Sequence, residues 1–168
     1  MEVGWRVSPP LEGDGQPHLF VHRWLGGTPC WADCGFVPWS GRRAPGDVLA
    51  EGSEVSLGLA IAHGRWWVWF DGEWLGFFEA SAWEGRLDVA ASAQWFGEVF
   101  SPGARSGGEM GNARPGTDPD AARIDSICRI APGTWTCGPG ELLYPVSTDP
   151  ERYPVRLGAS GLRYGGSG

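Results

Sequence analysis

The segment Arg65-Trp66-Trp67-Val68-Trp69-Phe70-Asp71-Gly72 leaves a chain few ways to fold. Six residues dominated by aromatic and β-branched side chains favour a strand, and Asp-Gly is a strong signal for a two-residue hairpin turn. Trp74 to Phe78 then reads as the returning strand. A second run of the same character, Gln94-Trp95-Phe96-Gly97-Glu98-Val99-Phe100, carries a carboxylate in its middle. Ionised carboxylates are rarely buried without a partner, so Glu98 is the first candidate for a working residue. Alternation places Gln94, Phe96 and Glu98 on one face of that strand.

The composition agrees with sheets. The 168 residues include 28 Gly, 14 Pro and 11 Trp, a loop-rich and aromatic-rich balance that favours an all-β chain over a helical one. The length suits a single domain with a real core. Thirteen basic residues, all arginine, stand against twenty acidic ones, for a net charge of −7. That excess repels phosphate backbones and no basic cluster interrupts it, so nucleic acid is not an expected partner. No apolar run approaches the roughly 20 residues of a membrane-spanning helix, so a membrane is not expected either.

Four cysteines fall into two close pairs, Cys30/Cys34 and Cys128/Cys137. Even number and local pairing favour two short-loop disulfides, hence an oxidising compartment and a secreted protein. A four-ligand zinc site is the rival, although Cys-x3-Cys followed much later by Cys-x8-Cys matches zinc spacings poorly. His18, His22 and His63 read as ordinary strand or loop residues, no metal or cofactor is expected, and no Gly-x-Ser-x-Gly elbow points to a serine nucleophile. The opening Met1-Glu2-Val3-Gly4-Trp5 has neither the basic region nor the apolar core of a secretory leader, so the expectation is a trimmed leader or a fragment.

In order, Met1 to Val7 alternates as a strand with Glu2, Gly4 and Arg6 on one face and Val3, Trp5 and Val7 on the other. Ser8 to Pro17 reads as loop, His18 to Leu25 as a strand, Gly26 to Cys34 as a turn-rich link, and Gly35 to Trp39 as a short extended piece. Val55 to His63 reads as a central strand before the Trp hairpin. Short helical turns are expected within Glu79 to Ala90, a long loop over Ser101 to Pro119, and one strand over Ala121 to Ile130. The sum predicts a single-domain antiparallel β-sandwich of two curved sheets.

Several of these segments, taken in order, resemble one family. EVGWRVSPPLEGDGQPHLFVHRW is similar to the E-x-G-W-x-V-x-P-x-L-x-G-D…P-x-L-F stretch of the neprosin family of glutamic peptidases. WWVWFDGEWLGFFEASAW, WFGEV, EMG and the closing RYGGSG resemble later segments of the same family. The chain departs in detail: Phe96 stands for the first glycine of G-G-E-V, and Met110-Gly111-Asn112-Ala113 for Met-Gly-Ser-Gly. Residues 1–168 then correspond to the catalytic domain, with the strands that precede the first glutamate missing.

The resemblance implies a β-sandwich acid endopeptidase that cuts proteins or peptides, after proline in its best-known members, with no cofactor. Its two catalytic glutamates fall on Glu2 and Glu98, 96 residues apart, so only the tertiary fold unites them. Peptide hydrolysis without a metal or a covalent nucleophile needs a base to deprotonate water and an acid to polarise the carbonyl and protonate the amine. Two carboxyl groups that share a proton can fill both roles, because both cannot ionise cheaply. Trp5, Trp95 and Phe96 are candidates for the slot that stacks on a prolyl ring. The alternative is a non-catalytic sandwich, inactive or binding carbohydrate through rows of Trp. Missing first strands would leave an open sheet edge, through which a homodimer is expected.

Overall fold

A computed structural model describes residues 1–31, 34–39, 41–83, 89–100, 108–131, 134–138 and 143–168. The chain is all-β and antiparallel, in two compact units, Met1–Ser92 and Ala93–Gly168.

The N-terminal unit holds two sheets. Strands β1 (Glu2–Arg6), β2 (His18–Leu25) and β3 (Thr28–Trp31) lie side by side in that order. Strands β4 (Phe36–Pro38), β5 (Leu57–Ala62), β6 (Arg65–Phe70) and β7 (Glu73–Glu79) form the second sheet in the order β4-β7-β6-β5. The Trp hairpin is β6 and β7, and its turn has Asp71 at φ 41° and Gly72 at φ 89°. Two successive positive φ values define the turn type whose twist matches the flanking strands, and glycine adopts the second without a Cβ penalty. His63 and Gly64 turn β5 into β6 in the same way.

Both sheets bury one face on a common core. Leu19 and Val21 come from β2, Trp66, Val68 and Phe70 from β6, and Leu75 and Phe78 from β7, joined by Leu49 and Trp83. Two sheets sharing one core is the packing expected of a sandwich. In β6 the burial alternates strictly, with Trp66, Val68 and Phe70 inward. Trp67 and Trp69 point outward, where Trp67 meets Trp39, Trp74 and Phe77 and Trp69 meets Trp74 at ring-centroid distances of 4.7–5.7 Å. Opposite faces of the unit therefore carry the outward side chains of β1–β3 and those of β6–β7.

The C-terminal unit holds a three-stranded sheet, β11-β12-β8, and a hairpin, β9–β10. These are β8 (Ala122–Asp125), β9 (Cys128–Ala131), β10 (Thr134–Cys137), β11 (Val155–Leu157) and β12 (Gly161–Tyr164). Cys128 and Cys137 face each other across the β9–β10 ladder and are joined, and Cys30 is joined to Cys34. Both cysteine pairs are thus disulfides rather than zinc ligands.

Five segments differ from their sequence reading. The strand expected as central over Val55 to His63 is β5, which lies at the end of the described order β4-β7-β6-β5. The supposed loop after β1 contains a one-turn helix, α1 (Pro9–Glu12), started by proline at its first positions and closed by Gly13 in the left-handed region. The link after β2 contains β3. Ala121 to Ile130 is two strands rather than one, because Ser126 sits at φ 54° and swings the chain from one sheet to another. Residues 94–100 keep the alternation of an extended chain but join no ladder among the described residues. Of the helical turns expected within Glu79 to Ala90, a 3-10 turn spans Ala80–Trp83, and 84–88 lie outside the described residues. So do 101–107 of the long loop.

Candidate active site

Strand β1 presents Glu2, Gly4 and Arg6 on the face turned away from the core, as its alternation requires. The ladder sets Glu2 opposite His22, Gly4 opposite Phe20 and Arg6 opposite His18, and on the far side of β2 it sets His22 opposite Trp31. Glu2, His22 and Trp31 thus form one line across three strands. Side chains directly opposed on a sheet face are within contact distance, and long ones reach their diagonal neighbours too.

Each oxygen of Glu2 has its own neighbour. Trp24 Nε1–H donates to Glu2 Oε1 at 2.7 Å, a diagonal contact on the same face. His22 Nε2 lies 2.7 Å from Glu2 Oε2. That approach is an ion-pair contact without the alignment of a directed hydrogen bond, and neither His22 nitrogen makes one. The imidazole is 5 % exposed. It stacks on Phe20 at 5.2 Å and takes the edges of Trp24 and Trp31 at 5.3 and 4.7 Å. Burial holds the His22 pKa below its ordinary value; Glu2 pushes it back up, while the Met1 amino group and Arg6 add to the lowering.

Glycine at position 4 makes this packing possible. A Cβ there would sit 2.9 Å from Phe20 Cε1 and 3.1 Å from Cζ, so the ring lies where a side chain would otherwise stand. Arg6 closes the other end. Its guanidinium lies 4.0 Å from the centre of the Trp31 ring, and its Nε donates to Glu12 Oε1 at 2.7 Å.

His18, four residues before His22 on the same strand face, is tuned the other way. Its Nδ1 donates to the Gly46 carbonyl at 2.8 Å and its Nε2 to Asp14 Oδ1 at 3.0 Å. Both partners accept, so the doubly protonated ring satisfies both, and the His18 pKa is raised, chiefly by the Gly46 carbonyl and then by Asp14.

Glu98 belongs to the C-terminal unit. In its extended segment Trp95, Gly97 and Val99 are half-buried while Phe96 and Glu98 are exposed. Gly97 lies flat on Tyr164: a Cβ would fall 2.6 Å from Tyr164 Cδ2 and 3.2 Å from Met110 Sδ. Burial raises the Tyr164 pKa. Met110 and Gly166 exchange backbone hydrogen bonds of 2.9 and 3.3 Å. The three motif segments around Glu98, Met110 and Tyr164-Gly165-Gly166, remote in sequence, are therefore one packed cluster.

Trp24 contacts Glu2 and Phe20 and Trp31 pack on its neighbour His22, whereas Trp5 lies on the opposite face of β1, 40 % exposed. Trp95 turns inward in its segment and Phe96 shares the outward side with Glu98. His22, Trp24 and Trp31 escape a reading by motif alone. Their signal is the alternation of His18-Leu19-Phe20-Val21-His22-Arg23-Trp24, which puts two imidazoles and two aromatic rings on one face of β2.

The Neprosin family model matches residues 1–167, essentially the whole chain. The protein belongs to the Neprosin family, and that membership supports a hydrolase of the peptidase kind. Its two disulfides fit a secreted protein, and among the described residues no helix is long and apolar enough to cross a membrane.

Proposed function

We propose that the protein is a secreted, acid-active glutamic endopeptidase that cuts peptide bonds after proline, with Glu2 and Glu98 as its dyad. The observation that carries this reading is the setting of Glu2. A glutamate in an edge strand would ordinarily swing free in solvent, whereas this one has a separate partner at each carboxylate oxygen. Such restraint holds the carboxylate in one orientation, as a reacting group requires.

The reaction follows from paired carboxyls. The ionised member takes a proton from water, whose oxygen attacks the scissile carbonyl carbon. The protonated member donates a hydrogen bond to the carbonyl oxygen and stabilises the negative charge that develops there. Collapse of the tetrahedral intermediate breaks the C–N bond, and a carboxyl proton passes to the departing amine. One shared proton suffices for a turnover, which places activity in acid.

The test is cleavage of an internally quenched, proline-containing peptide between about pH 2.5 and 7. Activity peaking in acid, and lost in both Glu2→Gln and Glu98→Gln while each variant stays folded, supports the dyad. Near-wild-type turnover in either variant removes it. The side of β1 away from β2, its one ladder partner among the described residues, is the edge at which we also place a homodimer; a monomer by light scattering removes that part.

One observation favours a second reading, a carbohydrate-binding sandwich. Trp39, 65 % exposed, and Trp74 line a cleft of about 330 Å³ with Gly41, Arg42 and Glu73, and Arg42 Nε lies 3.2 Å from Glu73 Oε2. Indole faces beside a donor–acceptor pair suit a sugar ring and its hydroxyls. Binding of a soluble oligosaccharide lost in Trp39→Ala, by a protein that cleaves no peptide, would establish it.

A further inference from the structure

We propose that His22 is the positioning residue for Glu2, fixing the carboxylate in one orientation and tying its readiness to pH. The proposal rests on the peptidase reading and deepens it.

Four observations converge. First, the β1–β2 ladder sets His22 directly opposite Glu2, and the contact is made, with Nε2 at 2.7 Å from Oε2. Second, the imidazole itself is locked: Phe20 covers one side, and Trp24 and Trp31 meet it edge-on. A ring held on three sides cannot follow a wandering carboxylate, so the carboxylate must come to the ring. Third, both ring nitrogens are buried without a directed hydrogen bond. Buried polar atoms left in that state are costly, and a purely structural position would be filled better by phenylalanine or tyrosine. Fourth, Trp24 holds the other oxygen of Glu2 and can only donate. The two grips differ in kind: the indole contact is the same at every pH, while the imidazole contact changes when the ring takes a proton.

The charged and titratable groups around His22 are few. From β1 come Glu2, Arg6 and the Met1 amino group; from β2 itself comes His18; β3 contributes none, since Thr28 to Trp31 carries no charge. Glu12 of α1 reaches Arg6 and His18 rather than His22. Glu2 is thus the only acid in contact with the ring among the described groups. With His22 neutral, the ring is a weak grip. Once it is protonated, both partners carry charge and the same contact tightens. Burial delays that step to lower pH than an exposed histidine would need.

The experiment has a kinetic and a spectroscopic arm. In the peptide assay, His22→Phe keeps the ring packing and removes the nitrogens; kcat should fall about 10²-fold with KM little changed, the effect of misplacing one reacting group. His22→Gln restores a polar contact without titrating, so it should recover part of kcat and lose one ionisation from the acid side of the pH–rate profile. Where the wild type cleaves and His22→Phe matches its kcat and pH profile, the role of His22 is overturned while the peptidase reading stands. A wild type that cleaves no peptide takes down the peptidase reading and the positioning role with it. Nuclear magnetic resonance titration of the wild type and Glu2→Gln needs no activity. Removing the Glu2 charge should shift His22 to a still lower pKa, and an unchanged titration overturns the contact itself.

Discussion

Replacing Gly4 by alanine tests whether the Glu2 site is mechanically connected. The added Cβ would fall 2.9 Å from Phe20 Cε1 and 3.1 Å from Cζ, where carbon atoms rest at about 3.5–4.0 Å. The ring must therefore retreat by roughly half an ångström or more. Position 4 lies in a regular strand at negative φ, so the backbone accepts alanine, and the lost glycine freedom offsets about 0.4–1 kcal/mol of the crowding. Overpacking costs about 1–3 kcal/mol, which leaves a net loss between about zero and 2.6 kcal/mol and a fall in Tm of up to about 10 °C for a chain of this size. The larger effect should be on turnover. Phe20 stacks on His22 at 5.2 Å with the planes only 22° apart, so a displaced phenyl ring displaces the imidazole, and the imidazole carries Glu2. A shift of that order at a reacting group lowers kcat by about 10²-fold. Thermal unfolding and peptide cleavage measured on Gly4→Ala, Phe20→Leu and the double variant form a cycle in which the smaller side chain relieves the clash. Wild-type kcat in a Gly4→Ala protein whose Tm has fallen would refute the chain of contacts from Gly4 to Glu2.

Trp24→Phe removes the Nε1–H donor and keeps an aromatic ring; losing one hydrogen bond to a carboxylate should lower kcat by about tenfold and leave Tm within a few degrees, and an unchanged kcat would dismiss Trp24 as a holder of Glu2. The two histidines of β2 should titrate on opposite sides of about 6.5 in an imidazole-resolved resonance experiment. His22, lowered by burial, stabilises the fold fully above that value, and this contribution is lost as pH falls through its native pKa. His18, raised by Gly46 and Asp14, does the reverse: its contribution is complete below that value and is lost as pH rises through its native pKa. Finding both on the same side would contradict the environments described. Opening the Cys128–Cys137 bridge, which closes a short loop across the β9–β10 hairpin, should cost about 2–3 kcal/mol in Cys128→Ser/Cys137→Ser by denaturant unfolding; no loss would mean that the hairpin forms without it.

Most strands of the N-terminal unit were legible because each carries its own signal; β3, inside a turn-rich link, was the exception. His18 to Leu25 needed only its alternation, and the Trp hairpin was announced by Asp71-Gly72. What alternation cannot supply is the partner. It says that Glu2, Gly4 and Arg6 share a face, but the pairing of Glu2 with His22 depends on how Val7 to Pro17 folds back, and that includes a helical turn read as loop. His22 looked ordinary for the same reason: its role comes from β1 and β3, not from its own strand. At Ser126 the sequence runs on in period two, Ile124 to Ile130, with no glycine to mark the break, so one strand was expected where the chain makes two. Around Glu98 the alternation is real, yet a strand also needs a neighbour offering its backbone, and residues 94–100 have none among the described residues. The motif pieces near Met110 and Tyr164 gave their order along the chain but not that they pack on Gly97.

Strand β6 has apolar side chains on both faces, Trp66, Val68 and Phe70 on one and Trp67 and Trp69 on the other. Ordinarily a slip of one residue is punished because it exchanges core for solvent-facing residues. Here a slipped β6 would still bury tryptophan, so hydrophobicity says little about which alignment is right. The answer is held at the ends, by His63-Gly64 before the strand and Asp71-Gly72 after it, which act as stops on a ruler six residues long. Adding or deleting a single residue between them should therefore damage this protein more than exchanging one aromatic residue for another, since it removes the information that tells the hairpin where to begin.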